Sequence, residues 1–216
     1  MYKVKCRNDE NCIYFIQGKC KFLHPKDISV FNENTLNDNN IRNPILYIRH
    51  AKKGYKNGEN KEFSLDPDIT EDGKIEAINK FILLVYKYGA PERIVTSPYL
   101  RTRMTAEIAR SIIFEKTNLY VEIYNDNKLG ECLKNQVGKD LNVCLRPETL
   151  IHNPIPPETL KEYNDRIYKH TKMTQRNTWY ITHGFNIYTI ASKYKIKYPN
   201  ELCGIAIYNS GKIEII

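Results

Sequence analysis

The sequence predicts an α/β fold, a three-layer sandwich with a mostly parallel sheet and helices on both faces, preceded by a small cysteine-rich module. Three observations carry this reading. Short apolar runs rich in β-formers alternate with longer runs of helical period. Two of the short runs, Ile45-Leu46-Tyr47-Ile48 and Trp179-Tyr180-Ile181-Thr182, stop abruptly at Arg49-His50 and at His183-Gly184. Cations and imidazoles at the carboxyl ends of buried strands sit where open α/β sheets bind ligands. Finally, three of the six cysteines, Cys6, Cys12 and Cys20, fall within the first 20 residues.

The 216 residues suffice for one α/β domain with a full core and a small appendage. No run approaches the roughly 20 apolar residues of a membrane span, and the start lacks a signal-peptide apolar region. No membrane partner is expected, and the expected location is intracellular, cytoplasmic or nuclear. The net charge of +8 suits an anionic partner, although Lys, Asn, Ile and Tyr are abundant along the whole chain.

Residues 1–28 contain Cys6-x5-Cys12-x7-Cys20-x3-His24 followed by Pro25. Three thiolates and an imidazole make a closed tetrahedral zinc site, and a segment this short needs such a staple to fold. With Gly18-Lys19-Cys20-Lys21-Phe22-Leu23-His24-Pro25 the segment resembles CCCH zinc fingers, most of all the poly(A)-binding type, although the gap of seven is longer than that type has. The resemblance implies a structural Zn2+ and single-stranded RNA as a partner. Tyr14, Phe15 and Phe22 would stack bases or pack over the metal, and Arg7, Lys19 and Lys21 would meet phosphates. Residues 29–43 are Asn-rich and lack periodicity, so they read as a linker to a domain spanning 44–216.

Within that domain the polar run after His50 reads as a loop over the sheet edge. Thr70 is a helix N-cap, and Ile75, Ile78, Phe81, Ile82 and Val85 continue the helical period to about Tyr88. Gly89-Ala90-Pro91 ends the helix. Arg93–Thr96 is a strand that Ser97-Pro98 turns into a helix from Leu100 to about Phe114. Leu119–Tyr124 is a third strand. Asn125–Gly138 is irregular, and the part that follows, to about Pro157, has four prolines and little pattern and is expected to form a lid or cap beside the site. A helix over Glu158–Lys172, the Trp179 strand, a helix over Asn186–Lys193 and a closing hairpin through Asn209-Ser210-Gly211 complete the alternation. Cys132, Cys144 and Cys203 have no ligand spacing and are expected as buried thiols. His152 and His170 have no sequence partners and read as surface or structural.

Arg49-His50-Ala51, Asp66-Pro67-Asp68-Ile69-Thr70-Glu71-Asp72-Gly73, Ser97-Pro98-Tyr99-Leu100-Arg101-Thr102-Arg103-Met104-Thr105-Ala106 and His183-Gly184 occur in the order in which the histidine phosphatase superfamily carries its motifs. The domain therefore resembles that superfamily, with its phosphoglycerate mutase-like fold. The resemblance implies a phosphoric monoester hydrolase with a phosphorylated substrate and no cofactor for catalysis. Arg49, Arg101, His183 and Ser97 would bind the phosphoryl group. His50 would attack phosphorus from one ring nitrogen and become a phosphohistidine, its other nitrogen's proton held by a backbone carbonyl. Glu131, in Leu129-Gly130-Glu131, would protonate the leaving oxygen, with Asp126 and Glu62 as rivals. An arginine that serves a ligand is expected to be dispensable to the fold. Ala51 stands where the family has glycine, and Lys52-Lys53-Gly54-Tyr55-Lys56 replaces the residues mutases carry there. This favours a phosphatase, and Lys52, Lys53 and Lys56 would extend the positive field or form a solvated loop. The alternatives are an inactive RNA-binding or adaptor protein on a phosphatase fold, and a protein phosphatase that docks through its finger.

Overall fold

The computed structural model describes residues 44–54, 66–131, 143–144, 158–194 and 196–216. The expected zinc ligands Cys6, Cys12, Cys20 and His24, the linker, Lys56, Glu62, Cys132 and His152 lie outside the described residues, as does the side chain of Cys144.

A six-stranded mixed sheet is flanked by four α-helices among the described residues. In chain order these elements are β1 (Ile45–Arg49), α1 (Glu71–Tyr88), β2 (Arg93–Thr96), α2 (Leu100–Thr117) and β3 (Glu122–Asn125). A two-stranded ribbon of β4 (Val143–Cys144) and β5 (Glu158–Thr159) follows. Then come α3 (Leu160–Lys172), β6 (Thr178–Thr182), α4 (Gly184–Ala191), β7 (Gly204–Ile207) and β8 (Ile213–Ile215). The strand order is β3-β2-β6-β1-β7-β8. Strands β3, β2, β6 and β1 are parallel neighbours, whereas β7 and β8 run antiparallel at the other edge. The closing hairpin is thus part of the main sheet.

Side chains alternate across the sheet with period 2. Leu46 and Ile48 of β1, Trp179 and Ile181 of β6 and Ala206 of β7 pack with Ala77, Phe81, Leu84 and Val85 of α1 and with Ala106, Ala109 and Ile113 of α2. Tyr47, Tyr180 and Ile205 point the other way, into a core with Tyr163 and Ile167 of α3 and Ile187 and Ile190 of α4. Each of the larger aliphatic side chains and Phe81 contributes about 1.5–3 kcal/mol by leaving water, and each alanine less. Because both faces are covered, β6 is buried at every position.

Local signals set the helix starts. Thr70 accepts a hydrogen bond from Gly73 N at 3.0 Å. Thr159 and Glu162 form a reciprocal capping box before α3. Helix α2 lacks a cap from its own N-cap residue, Tyr99. Instead Leu100 N donates to both carboxylate oxygens of Asp66, at 2.8 and 2.9 Å.

Four sequence expectations shift. Helix α2 runs one turn past Phe114, to Thr117, where Asn118 in the left-handed region (φ 58°) ends it. That turn leaves Leu119 and Tyr120 exposed and buries Val121, so the third strand begins only at Glu122. Helix α4 begins at Gly184, directly after His183, and Ser192–Tyr194 continues it as a 3-10 turn. Cys203 is half-buried, not fully buried.

Candidate active site

Strand register builds the site. Arg49 lies opposite Thr182 and Thr96 opposite Ile181, so the residues after β1, β2 and β6 leave the sheet side by side. His50 N donates to Thr182 O at 2.9 Å and Ser97 N to Ile181 O at 3.1 Å. His50, Ser97 and His183 are all buried at this edge, with the two imidazole centroids 5.5 Å apart.

His50 Nδ1 lies 2.7 Å from Ala51 O. A carbonyl only accepts, so Nδ1 carries the proton and Nε2 keeps its lone pair. Ala51 N in turn donates to Thr105 Oγ1 at 3.0 Å, and Thr105 Oγ1 donates to Arg101 O at 2.7 Å. Helix α2 thereby holds the loop after His50, and alanine fits this fully buried position. Gly73 is needed on the opposite side, because a Cβ there would meet Lys52 O at 2.8 Å.

Arg101 is buried under the site. Its guanidinium reaches Glu131 Oε2 at 2.6 Å, Asp66 Oδ1 at 3.4 Å and His183 Nδ1 at 3.4 Å, and it lies over the Tyr99 ring. Arg49 is held by Pro199 O at 2.9 Å and Glu201 Oε1 at 3.1 Å, with Tyr198 against its face. In both arginines Nε is buried and has no hydrogen-bond partner. A buried cationic N–H without an acceptor is costly, so these two donors suit an oxyanion. His183 Nε2 is 2.9 Å from Ser97 Oγ. Glu131 Oε2 also lies 3.4 Å from His183 Nδ1. Arg101 can only donate, so Nδ1 accepts from it, and Nε2 carries the proton and donates to Ser97.

Burial first, then the Arg101 charge, holds both His50 and His183 well below the usual imidazole pKa. Arg49 and Lys53 push the same way. Both rings are therefore neutral at pH 7. The unfolded chain protonates them near 6.5, so it takes up protons before the folded chain does. Stability is then complete above about pH 6.5 and falls as the pH drops below it, by up to about 2.7 kcal/mol per pH unit for two rings. The urea midpoint should decline between pH 7 and 5, above the range in which carboxylates titrate. A flat midpoint over that interval would contradict neutral burial of the pair.

The structure thus brings His50, His183, Arg49, Arg101, Ser97 and Glu131 to one sheet edge. Asp126 is turned away: its Oδ2 pairs with His170 Nε2 at 3.2 Å. Burial is the largest single influence and works to raise the Asp126 pKa, but the His170 bond, the bond from Lys128 N and the neighbouring charge together outweigh it and hold the group below its usual value. His170 is accordingly a structural, buried histidine. Asp66, Thr105, Tyr198 and Glu201 were not assigned roles from sequence. Asp66 and Thr105 lie within the quoted motifs, whereas nothing in the Tyr198-Pro199-Asn200-Glu201 spacing marks it. Tyr198 also touches the start of α4, where a Cβ on Gly184 would lie 2.5 Å from its hydroxyl.

No protein-family model matches the chain, and none of the curated proteins matches it in sequence. Solved structures do. A phosphoglycerate mutase from Bacillus anthracis aligns with TM-score 0.55 and 17% identity over 80% of this chain and 90% of its own. A phosphoglycerate mutase from Thermus thermophilus gives 0.53 and 17% over 79% and 95%. A mycobacterial glucosyl-3-phosphoglycerate phosphatase gives 0.50 and 17% over 76% and 89%. With its mixed six-stranded sheet and helices on both faces, the chain has the α/β fold of phosphoglycerate mutases and their phosphatase relatives.

Proposed function

We propose that the protein is a phosphatase that hydrolyses a phosphomonoester through a phosphohistidine at His50. The observation that carries this is the His50 Nδ1 contact to Ala51 O, which leaves a neutral Nε2 as nucleophile beside two arginines whose buried Nε–H groups have no partner. In the first step the Nε2 lone pair forms a bond to phosphorus as the ester P–O bond breaks, and Glu131 gives its proton to the leaving oxygen. Arg49 and Arg101 neutralise the phosphoryl oxygens, and the neutral His183 donates its Nε2 proton to one of them in place of Ser97 Oγ. In the second step Glu131 takes a proton from water, the water oxygen bonds to phosphorus and the N–P bond breaks. Orthophosphate leaves and His50 is restored. The Lys52-Lys53 run, unlike that of mutases, favours water as acceptor. Hydrolysis of 4-nitrophenyl phosphate with EDTA present tests this reading, and an inactive wild-type protein would refute it.

Cys6, Cys12, Cys20 and His24 hold one structural zinc in this reading, and the finger brings an RNA-linked phosphate to the site. Ligand spacing and the interleaved aromatic and basic residues support it. A 15-residue tether at 29–43 spans roughly 20 Å and gives an effective concentration on the order of millimolar. Deleting residues 1–28 should remove the bound zinc and weaken RNA binding while leaving turnover of the small ester unchanged. An intact chain without zinc, or one that binds a mixed RNA pool no better than the deletion, would redirect the finger to protein docking.

A further inference from the structure

We propose that Arg166 of α3 and Asn186 of α4 are positioning residues that hold Glu131 against Arg101 and His183. The inference rests on Glu131 being the general acid.

Glu131 follows a 3-10 turn, Asn127–Leu129, that leaves the end of β3. The turn has few bonds of its own: Leu129 N to Asp126 O, Gly130 N to Asn127 O, both 3.0 Å, and Lys128 N to Asp126 Oδ1 at 2.8 Å. Such a segment does not by itself fix the side chain that follows it. Its three successive carbonyls, however, are all captured from outside. Arg166 donates to Lys128 O and reaches Gly130 O with both terminal nitrogens at 3.4 Å. Its guanidinium lies over the Tyr163 ring, 4.8 Å from the centroid. Asn186 Nδ2 donates to Leu129 O at 2.7 Å, and Thr182 Oγ1 donates to the same carbonyl at 3.3 Å.

The Asn186 amide has only one workable orientation. Its Nδ2 has two hydrogens, for Leu129 O and for Thr182 Oγ1 at 2.7 Å, and its Oδ1 accepts from Tyr163 OH. The flipped amide would set Oδ1 against the Leu129 carbonyl, acceptor against acceptor. Asn186, Tyr163 and Thr182 are fully buried, so each of these groups depends on the network for its partners. Asn186 also lies in the first turn of α4, three residues after His183, the N-cap of that helix. One helix start therefore sets both His183 and, through Leu129, the turn that carries Glu131. A shift of about 1 Å at a reacting group costs on the order of a hundredfold in rate, which gives these clamps a catalytic consequence.

The test measures kcat/KM of the full chain on an alkyl phosphate and on 4-nitrophenyl phosphate, per active site counted from the phosphoenzyme burst. A poor leaving group needs the acid and a nitrophenolate barely does. Arg166→Ala, at a half-buried position, should lose about tenfold or more on the alkyl ester and keep the aryl rate within roughly twofold. Arg166→Lys should recover part of the loss, since an ammonium can still reach one carbonyl. Asn186→Ala should show the same split where it folds. Loss of fold alone would lower the number of active sites and leave the ratio of the two rates unchanged. Glu131→Gln separates the two claims. A selective alkyl loss there without one in Arg166→Ala overturns the positioning role alone. No selective loss in Glu131→Gln overturns the acid assignment and this inference with it.

Discussion

Replacing His50 with alanine is expected to lower turnover by roughly 10⁴- to 10⁶-fold, the scale on which removal of a covalent nucleophile acts. The loss should be as large for an activated aryl phosphate as for an alkyl phosphate, because a better leaving group does not replace the missing nitrogen. The fold should survive. His50 is buried and neutral, and its hydrogen bond to Ala51 O is local, so its removal costs about 1–3 kcal/mol. The variant should also lose part of the destabilisation below pH 6.5, since one of the two buried rings is gone. Near-wild-type kcat in this variant, measured with 4-nitrophenyl phosphate, would remove the mechanism.

Arg101→Ala is expected to strike rate and stability together. The side chain is 1% exposed and sits between the carboxylates of Glu131 and Asp66. Its removal strips the phosphoryl group of a buried donor, the unpartnered Nε–H, which should cost about 10²–10³ in kcat. It also leaves two part-buried carboxylates without their cation, which costs about 3–5 kcal/mol when such a pair is broken. Burial already raises the Asp66 pKa, against the hydrogen bond from Leu100 N, so losing the arginine adds to a carboxylate that is costly to keep charged. Arg101→Lys keeps the charge without the planar fork and should recover more stability than rate. Equal urea midpoints for wild type and Arg101→Ala would show that the arginine serves the ligand alone.

That second prediction departs from what the sequence implies. Ser97-Pro98 and the residues after it mark Arg101 as a site residue, but spacing cannot tell an arginine standing free in a pocket from one built into the core. The distinction depends on Asp66, 35 positions away in the chain, which both caps α2 and faces the guanidinium. Long-range capping of this kind leaves no periodic trace. The strand ends, by contrast, were legible. A buried run that stops at Arg49-His50 and another that stops at His183-Gly184 have few places to go except neighbouring positions at one sheet edge, and parallel pairing of β1 with β6 puts them there. The third strand was displaced because β-formers at Leu119 and Tyr120 look like strand residues. Asn118 in the left-handed region redirects the chain before pairing starts. Glu131 was legible only as a carboxylate after a strand. Its alignment with Arg101 and His183 depends on contacts from Arg166 and Asn186, which come from helices α3 and α4 much later in the chain.

The central claim is covalent. Wild-type protein mixed with a ³²P-labelled phosphomonoester and quenched in alkali during turnover, which preserves a phosphoramidate, should retain label. Digestion and mass spectrometry should then place one phosphoryl group on the peptide carrying Arg49-His50-Ala51, bonded to His50 Nε2. Label that chases into orthophosphate on addition of unlabelled substrate would establish the species as an intermediate. Sustained turnover with no trapped label, or label on a residue other than His50, would contradict the account.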